Sequence, residues 1–226
     1  VNKQGWFSWI YEQCGLEPGI KVLETGCGDG RLWVDNIKNV EKLKNIKITV
    51  TDISEGMVND ARRNIGNGMF DYGVADCMNL PFDDNSFDCV IANHVIFYCE
   101  EPGKAFKEIK RVLKPGGKAV FSTYGSHHMQ EIAQLVNQFD KRIVLSADVL
   151  YEKFGLDNGE RLLKKYFNKV DKRLYDDYLL VDVAEPIIEY ILSCHGNQNH
   201  YLLDRYSDFK AFIMKKTRKP LKITKE

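Results

Sequence analysis

The sequence predicts a doubly wound α/β fold, in which helices cover both faces of a mostly parallel sheet. Short apolar runs rich in β-branched and aromatic residues alternate with longer amphipathic stretches, the pattern of consecutive βαβ units. Glycines stand at positions 26, 28 and 30, between the first predicted strand and the first crossover helix. With 226 residues, of which 44% are hydrophobic, the chain is long enough to form a stable hydrophobic core without disulfide bonds or structural metal ions.

Five segments are predicted as strands because each is short and rich in Val, Ile, Phe or Thr. They cover residues 21–24, 46–51, 70–75, 87–92 and 118–123. Apolar residues at helical spacing predict crossover helices at residues 31–38, 54–64 and 103–113. Ser54 is the expected N-cap of the second of these helices, and Pro115-Gly116-Gly117 is expected to end the third.

Further helices are predicted on either side of this core. Residues 6–14 form an amphipathic pattern with a strongly aromatic face. In the second half, residues 129–139, 158–167 and 185–193 are predicted as helices, and residues 170–181 as a long strand. Residues 221–224 look like the beginning of a last strand that stops early, and the chain begins at Val1 without a methionine. We therefore expect the natural chain to extend beyond both ends.

The composition argues against several classes of partner. Lys and Arg together number 32, as do Asp and Glu, so no basic excess predicts nucleic-acid binding. Six scattered cysteines form no C-x-x-C pair, so we expect reduced thiols, no metal site and a cytoplasmic location. No apolar stretch reaches the length of a membrane span and no export signal is visible, so we expect no membrane partner. The oligomeric state cannot be predicted from these features.

The turn after the first predicted strand is the first candidate binding site. It reads Glu24-Thr25-Gly26-Cys27-Gly28 and continues through Gly30 into a helix N-terminus. Glycine accepts positive φ and lets a ligand approach the backbone, and the first helical turn offers unpaired N–H groups. We therefore expect a polar ligand here, although such a turn also serves dinucleotides and sometimes only structure.

Two aspartates strengthen this interpretation. Asp52 ends the second predicted strand, where an acidic side chain can accept both hydroxyls of a ribose. Asp76 ends the third, where a carboxylate can accept from an adenine amino group. Together with Glu24, three consecutive strands each deliver an acidic residue at the edge where open α/β sheets bind ligands. A single aspartate in such a place is usually a turn former, so the ordered set is the more specific signal.

Blocks between residues 20 and 124 carry a family resemblance. They are residues 22–30, residues 50–57, Asp76 with Asn79-Leu80-Pro81-Phe82, residues 86–93 and residues 112–117. On these blocks the chain resembles class I S-adenosylmethionine-dependent methyltransferases of Rossmann-like fold, the broad family that includes the ubiquinone and menaquinone biosynthetic enzymes.

This resemblance implies S-adenosylmethionine as the cofactor. Glu24 and the glycine turn would hold its methionine amino end, and Asp52 its ribose. Met57 would cover the adenine face, and Asp76 with the backbone of the next residue would meet the adenine edge. The expected cofactor-binding residues are thus those of the turn, with Asp52, Ile53, Met57, Asp76, Cys77 and Asn93.

Two alternatives remain open. The same strand and turn could bind NAD, but the dinucleotide fingerprint is G-x-G-x-x-G, whereas the glycines here follow G-x-G-x-G. Glu24 would also repel a pyrophosphate and attract a cationic amine, so an NAD-dependent oxidoreductase is the weaker hypothesis. A chain that binds S-adenosylmethionine without catalysis, as a regulatory or partner protein, is the second alternative.

The expected reaction is methyl transfer to a small molecule at O, N, C or S. Transfer from a sulfonium is an in-line displacement, so positioning of the acceptor is the main requirement. A general base is needed only when the acceptor's proton is hard to lose. His94, after the fourth predicted strand, is the candidate base because histidine titrates near neutral pH, although a histidine there is as often a packing or capping group.

The acceptor pocket is expected at the same edge of the sheet. Trp6, Trp9 and Tyr11 of the N-terminal helix are candidates through cation–π attraction to the sulfonium, with core packing as the alternative for at least one of them. His127 and His128 follow the fifth predicted strand and are candidates as well, although an adjacent pair on a loop is usually exposed to solvent. Residues 151–156 are expected to add acceptor contacts.

These expectations combine into one domain over residues 1–226. Residues 1–19 would form an N-terminal lid helix and residues 20–124 the cofactor-binding core. Residues 125–226 would supply helical insertions on the substrate side and complete the sheet. No internal repeat or low-complexity linker divides the chain.

Overall fold

The computed structural model describes residues 2–66, 68–146 and 149–225. The strands are β1 (Lys21–Thr25), β2 (Lys47–Asp52), β3 (Phe70–Val74), β4 (Phe87–Asn93), β5 (Leu113–Ser122), β6 (Asp177–Val181) and β7 (Leu221–Lys225). The α-helices are α1 (Trp6–Cys14), α2 (Arg31–Val40), α3 (Glu55–Ile65), α4 (Pro102–Val112), α5 (Gln130–Phe139), α6 (Leu150–Lys153), α7 (Gly159–Leu163), α8 (Ala184–Ser193), α9 (Gln198–Leu202) and α10 (Tyr206–Lys216). Two 3-10 helices cover Ile96–Tyr98 and Leu203–Arg205.

The chain divides into two compact units. The larger comprises Gln4–Thr123 and Leu150–Lys172. The smaller comprises Tyr124–Val149 and Arg173–Glu226, together with Val1–Lys3. The expected single domain with boundaries at residues 19 and 124 stays a prediction.

A five-stranded sheet forms the centre of the larger unit. Its strand order is β3-β2-β1-β4-β5, and every neighbouring pair is parallel. Because all strands run in one direction, their carboxyl ends share one edge. The chain reverses direction along the sheet between β3 and β4, so β1 and β4 flank the switch point of a doubly wound fold. The predicted fold class, a parallel sheet flanked by helices, is confirmed.

The central strands are apolar on both faces, as a covered parallel sheet requires. Val22, Ile48, Val50 and Ile91 are fully buried in one core cluster. Trp33 of α2 is fully buried in the same cluster, and side chains of α1 pack against it. Burial of these side chains holds the helices against the strands and so fixes the positions of the turns at the strand ends.

Local features of the chain explain where helix α3 begins and where helix α4 ends. Ser54 precedes α3, and its Oγ accepts from the Met57 N–H at 3.4 Å, so the predicted N-cap is confirmed. Helix α4 ends at Val112, and β5 begins at once at Leu113, five residues before the predicted strand. The early start reflects a register shift between Phe87 and Cys89, which lets Phe87 pair with Leu113.

The smaller unit has its own sheet and core. Strands β6 and β7 pair in antiparallel register over their whole length. Helices α5, α8 and α10 contribute buried side chains to its core, among them Val136, Ile191 and Ile213. Among the described residues, the predicted strand over residues 170–181 is limited to Asp177–Val181.

Among the residues that the structure describes, no helix combines the length and apolar character needed to cross a bilayer.

Candidate functional site

The glycine turn joins β1 to α2 at the carboxyl edge of the larger unit's sheet. Gly26 and Gly28 have φ of 70° and 55°, in the left-handed region that favours glycine. A Cβ on Gly26 would collide with the Val95 side chain, whereas a Cβ on Gly28 would meet no atom within 4 Å. Gly26 therefore permits close packing of two turns, and the backbone at Gly28 faces open space.

The Asp52 carboxylate at the end of β2 supports this turn. One of its oxygens, Oδ2, accepts from the Gly28 N–H at 2.9 Å. The other, Oδ1, accepts from the Ser54 N–H, also at 2.9 Å. The two backbone donors orient the carboxylate, yet Asp52 is only half-buried. Since each carboxylate oxygen can accept more than one hydrogen bond, the group can still receive donors from a ligand.

Glu24 lies on β1 just before the turn and is almost completely buried, with 1% exposure. Its Oε2 accepts from the Trp33 indole Nε1–H at 2.5 Å. Burial raises the pKa of the Glu24 carboxyl to about 8; the indole hydrogen bond opposes this rise, and the Asp52 charge adds to it. The protein thus holds a carboxyl that a cationic group would convert to its charged form.

Exposed apolar side chains follow the end of β2. Ile53 is 69% exposed and Met57, in the first turn of α3, is 42% exposed. Large apolar side chains on a surface next to polar groups are a common feature of ligand sites. A flat ring of a ligand could pack against the Ile53 and Met57 side chains.

The turn after β3 carries the third acidic residue. The Asp76 Oδ1 accepts from the Met78 N–H at 2.8 Å, and the Asn79 N–H donates to the Asp76 carbonyl at 2.9 Å. Cys77 is buried directly behind this turn. The hydrogen bonds fix the Asp76 carboxylate at the same sheet edge as Asp52.

A serine on β5 organises the turn after β4. The Ser122 Oγ–H donates to Asn93 Oδ1 at 2.7 Å, and the same Oγ accepts from the His94 N–H at 2.9 Å. His94 has φ of 53°, which is uncommon for a residue with a side chain. Ser122 was not predicted as a site residue from the sequence. It is paired with Asn93 in the register of β4 and β5, so aligning the ends of the two predicted strands is the step that could have identified it.

An aromatic cluster surrounds the His94 ring. Its imidazole lies 4.9 Å from the Trp6 ring and 5.9 Å from the Phe97 ring, measured between centroids. The Trp6 ring lies 5.6 Å from that of Trp9. The structure therefore brings the two tryptophans of α1 and His94 together, and it adds Phe97, which was not predicted.

The remaining predicted residues are partly or fully buried or belong to the smaller unit. Tyr11 packs against the core cluster, and burial raises the pKa of its hydroxyl. Thr25 and Cys27 are buried within the turn. His127 and His128 belong to the smaller unit, where the His128 ring lies 5.2 Å from that of Tyr124. Their place at the site stays a prediction.

Within the described ranges, no group of three or more His, Cys, Asp or Glu side chains is placed to hold a metal ion.

A family model described as a methyltransferase domain matches residues 23–121, which span the strands and turns of this site. Cycloartenol-C-24-methyltransferase 1 of Oryza sativa subsp. japonica is 36% identical over 108 residues, 46% of this chain and 30% of that protein. The ubiquinone/menaquinone biosynthesis C-methyltransferase UbiE of Haemophilus ducreyi is 30% identical over 143 residues, 62% of this chain and 54% of that protein. A malonyl-[acyl-carrier protein] O-methyltransferase of Serratia marcescens is 29% identical over 126 residues, 54% of this chain and 46% of that protein.

The chain thus spans about half or less of the length of these curated relatives. Among solved structures, the YcgJ protein of Bacillus subtilis matches with a TM-score of 0.60 at 16% identity, over 96% of this chain and 93% of that one. At that identity the match supports the fold alone. The family model covers β1 to β5, and the named relatives are methyltransferases. Over residues 23–121 the chain is therefore similar to the methyltransferase domain family, and that similarity extends to curated methyltransferases.

Proposed function

We propose that this protein transfers a methyl group from S-adenosylmethionine to a small-molecule acceptor. The observation that carries the proposal is the hydrogen bond from the Gly28 N–H to Asp52 Oδ2. It joins the glycine turn and the second acidic residue into one preformed site beside the switch point of the sheet. Ligands of open α/β sheets bind at that edge.

The side chains at this edge fit the parts of the cofactor. Asp52 is oriented by backbone donors and partly exposed, as a group that accepts from two ribose hydroxyls must be. Exposed Ile53 and Met57 offer an apolar surface for an adenine face. Asp76, fixed by the Met78 N–H, is assigned to the adenine edge.

Glu24 fits the cationic end of the cofactor. A buried carboxyl with a raised pKa gains most from an ammonium group, because the positive charge replaces the lost hydration of the carboxylate. The pyrophosphate of a dinucleotide brings no such cation, and its negative charge would oppose ionisation of the carboxyl. This charge preference favours S-adenosylmethionine over NAD.

When bound, the cofactor supplies a methyl group activated on a sulfonium. The chain's own task is to place the acceptor in line with that methyl and to exclude water. We assign acceptor contacts to Trp6, whose ring lies beside that of His94, and to Trp9, whose ring lies beside that of Trp6. His94 is the candidate for removing the acceptor's proton, and the Asn93–Ser122 hydrogen bond holds the turn that carries it.

The acceptor's reacting atom stays open. Relatives include C-methyltransferases and an O-methyltransferase whose names specify different acceptors. The balanced charge of the chain favours a small metabolite over a nucleic acid. A cytoplasmic location stays a prediction from the cysteine pattern.

Two measurements test the proposal together. Calorimetry should show binding of S-adenosylhomocysteine and no binding of NAD. A transfer assay with S-adenosylmethionine labelled in the methyl group should then yield a labelled product from a panel of phenols, amines, thiols and activated carbon acids. Binding without turnover of any acceptor would favour the regulatory alternative, and NAD binding alone would overturn the proposal.

A further inference from the structure

Two cysteines meet behind the proposed adenine pocket. Cys77 follows Asp76 in the turn after β3, and Cys99 follows the 3-10 helix Ile96–Tyr98 after β4. Their sulfur atoms lie 3.2 Å apart, and both residues are reduced thiols with less than a tenth of their surface exposed. We propose that Cys77 and Cys99 form an oxidation site, at which a hydroperoxide converts the two thiols into a disulfide.

The backbone holds both sulfurs in place. The Asp76 turn is closed by its hydrogen bonds to Met78 and Asn79. On the other side, the Cys99 N–H donates to the Ile96 carbonyl at 3.1 Å. A disulfide needs a sulfur separation of about 2.05 Å, so the two sulfurs must approach by roughly 1 Å. That movement is small compared with the usual obstacle to a disulfide, which is a backbone separation that cannot be bridged.

Charge decides which sulfur reacts first. The hydrogen bond between the two sulfurs lowers the pKa of the Cys99 thiol and raises that of Cys77. Lys153 favours the Cys99 thiolate as well, while burial and the Asp76 carboxylate oppose it. Since the thiolate is the nucleophile, Cys99 is the attacking residue and Cys77 the resolving one.

The chemistry balances with hydrogen peroxide as the oxidant. The Cys99 thiolate attacks one peroxide oxygen, the O–O bond breaks, and the departing hydroxide takes up the proton that Cys99 released on ionising to form water. Cys99 is then a sulfenic acid. The Cys77 sulfur attacks it, the S–S bond forms, the S–O bond breaks, and the hydroxyl leaves with the Cys77 proton as a second water. Two thiols lose two electrons, and one peroxide gains them.

The consequence for function rests on the proposed S-adenosylmethionine site. Closing the disulfide would pull the turn that carries Asp76 towards the 3-10 helix after β4. Asp76 would then lose its place at the adenine edge. We expect affinity for S-adenosylhomocysteine to fall at least about tenfold, the effect of losing one hydrogen bond to a charged group.

Peptide mass mapping tests the oxidation site without reference to the cofactor. The reduced chain is treated with stoichiometric hydrogen peroxide, alkylated under denaturing conditions and cut before aspartates. Trypsin is unsuitable because residues 64–104 contain no Lys or Arg before Lys104 and would keep both cysteines in one peptide. The expected product joins the peptide that begins at Asp76 to the one that begins at Asp88, and fragmentation should place the link at Cys99 rather than Cys89. Dithiothreitol should separate the two peptides.

Two variants serve as controls. Cys99→Ser should bind S-adenosylhomocysteine like the reduced wild type, form no link and keep its affinity after peroxide. Cys194→Ser, which removes a thiol of the smaller unit, should still form the link. Absence of the Cys77–Cys99 link in the wild type would overturn the proposal. A link with unchanged affinity would overturn the coupling to the cofactor, whereas a reduced chain that binds no S-adenosylhomocysteine would refute the proposed function and leave the mass result to decide on the oxidation site.

Discussion

The Gly28 N–H donates to Asp52 Oδ2 at 2.9 Å, so the turn after β1 is held by the carboxylate that ends β2. Gly28 lies in the turn after β1 and Asp52 at the end of β2, and their contact exists only because β1 and β2 pair in parallel with Thr25 opposite Thr51. Asp52 therefore supports the turn, and in the proposed function it also accepts from a ribose. Replacing Asp52 should therefore change both the stability of the chain and its affinity for the cofactor, and both must be measured.

Asp52→Ala is expected to weaken S-adenosylmethionine binding by about 1–3 kcal/mol, because a charged hydrogen-bond acceptor is lost. Calorimetric titration measures this change, and denaturant unfolding measures the accompanying loss of stability. Asp71→Ala, which removes an exposed carboxylate on β3, is the matched control and should change neither quantity appreciably. An unchanged affinity of the Asp52 variant would refute the ribose assignment.

Cofactor binding should release a proton from Glu24. Below its raised pKa of about 8 the buried carboxyl is mostly protonated, and a bound ammonium group would convert it to the carboxylate. Titrations near pH 6.5 in buffers of different ionisation enthalpy should therefore show release of up to one proton, with affinity rising towards pH 8. In Glu24→Gln this release should vanish; equal proton release in both proteins would contradict the assignment.

The same carboxyl makes stability depend on pH. Its pKa is about 8 in the folded chain against an ordinary value of 4.5, so the folded state binds the extra proton between these values. The stabilisation is fully present below about pH 4.5 and is lost as the pH rises through 8. Urea unfolding of the cofactor-free chain measures the free energy of unfolding at pH 5.5 and at pH 8. This free energy should decrease less between the two pH values in Glu24→Gln than in the wild type. An identical decrease would indicate that Glu24 is already ionised at the lower pH.

The sheet and the acidic residues could be predicted because they depend on local patterns. Short predicted strands of four to six residues between amphipathic stretches predict a parallel sheet, and parallel strands end at one edge. Glu24, Asp52 and Asp76 could therefore be assigned to the same edge from strand ends alone. Their order along the chain also carried the family resemblance.

Contacts made through packing could not be predicted in this way. Trp33 looks like any apolar residue of an amphipathic helix, and only the packing of α2 on the sheet brings its indole to Glu24. The Cys77–Cys99 pair joins two turns that are 22 residues apart, with no spacing that marks it. In the second half, charged residues such as Asp171 and Lys172 interrupt the apolar pattern, and the strand is correspondingly shorter than predicted.

Gly26→Ala is expected to destabilise the larger unit by about 1–3 kcal/mol, because it combines a strained φ with a collision. The new methyl group would meet the Val95 side chain in the turn that carries His94. Denaturant unfolding measures the loss, and Gly5→Ala is the control because a Cβ there meets no atom within 4 Å. Combining Gly26→Ala with Val95→Ala should restore part of the stability. If the double variant were no more stable than Gly26→Ala, the collision would not be the cause.

His94→Gln is expected to lower kcat by about 10²- to 10⁴-fold for an acceptor that must lose a proton, the usual contribution of a general base. Affinity for S-adenosylhomocysteine should stay unchanged, because the contact of this turn with Ser122 is made by the His94 backbone N–H. His195→Gln replaces an exposed histidine of the smaller unit and should leave kcat as it is. A variant at position 94 with unchanged kcat would assign the imidazole to packing against Trp6 and Phe97, and the acceptor would then be one that loses its proton without help.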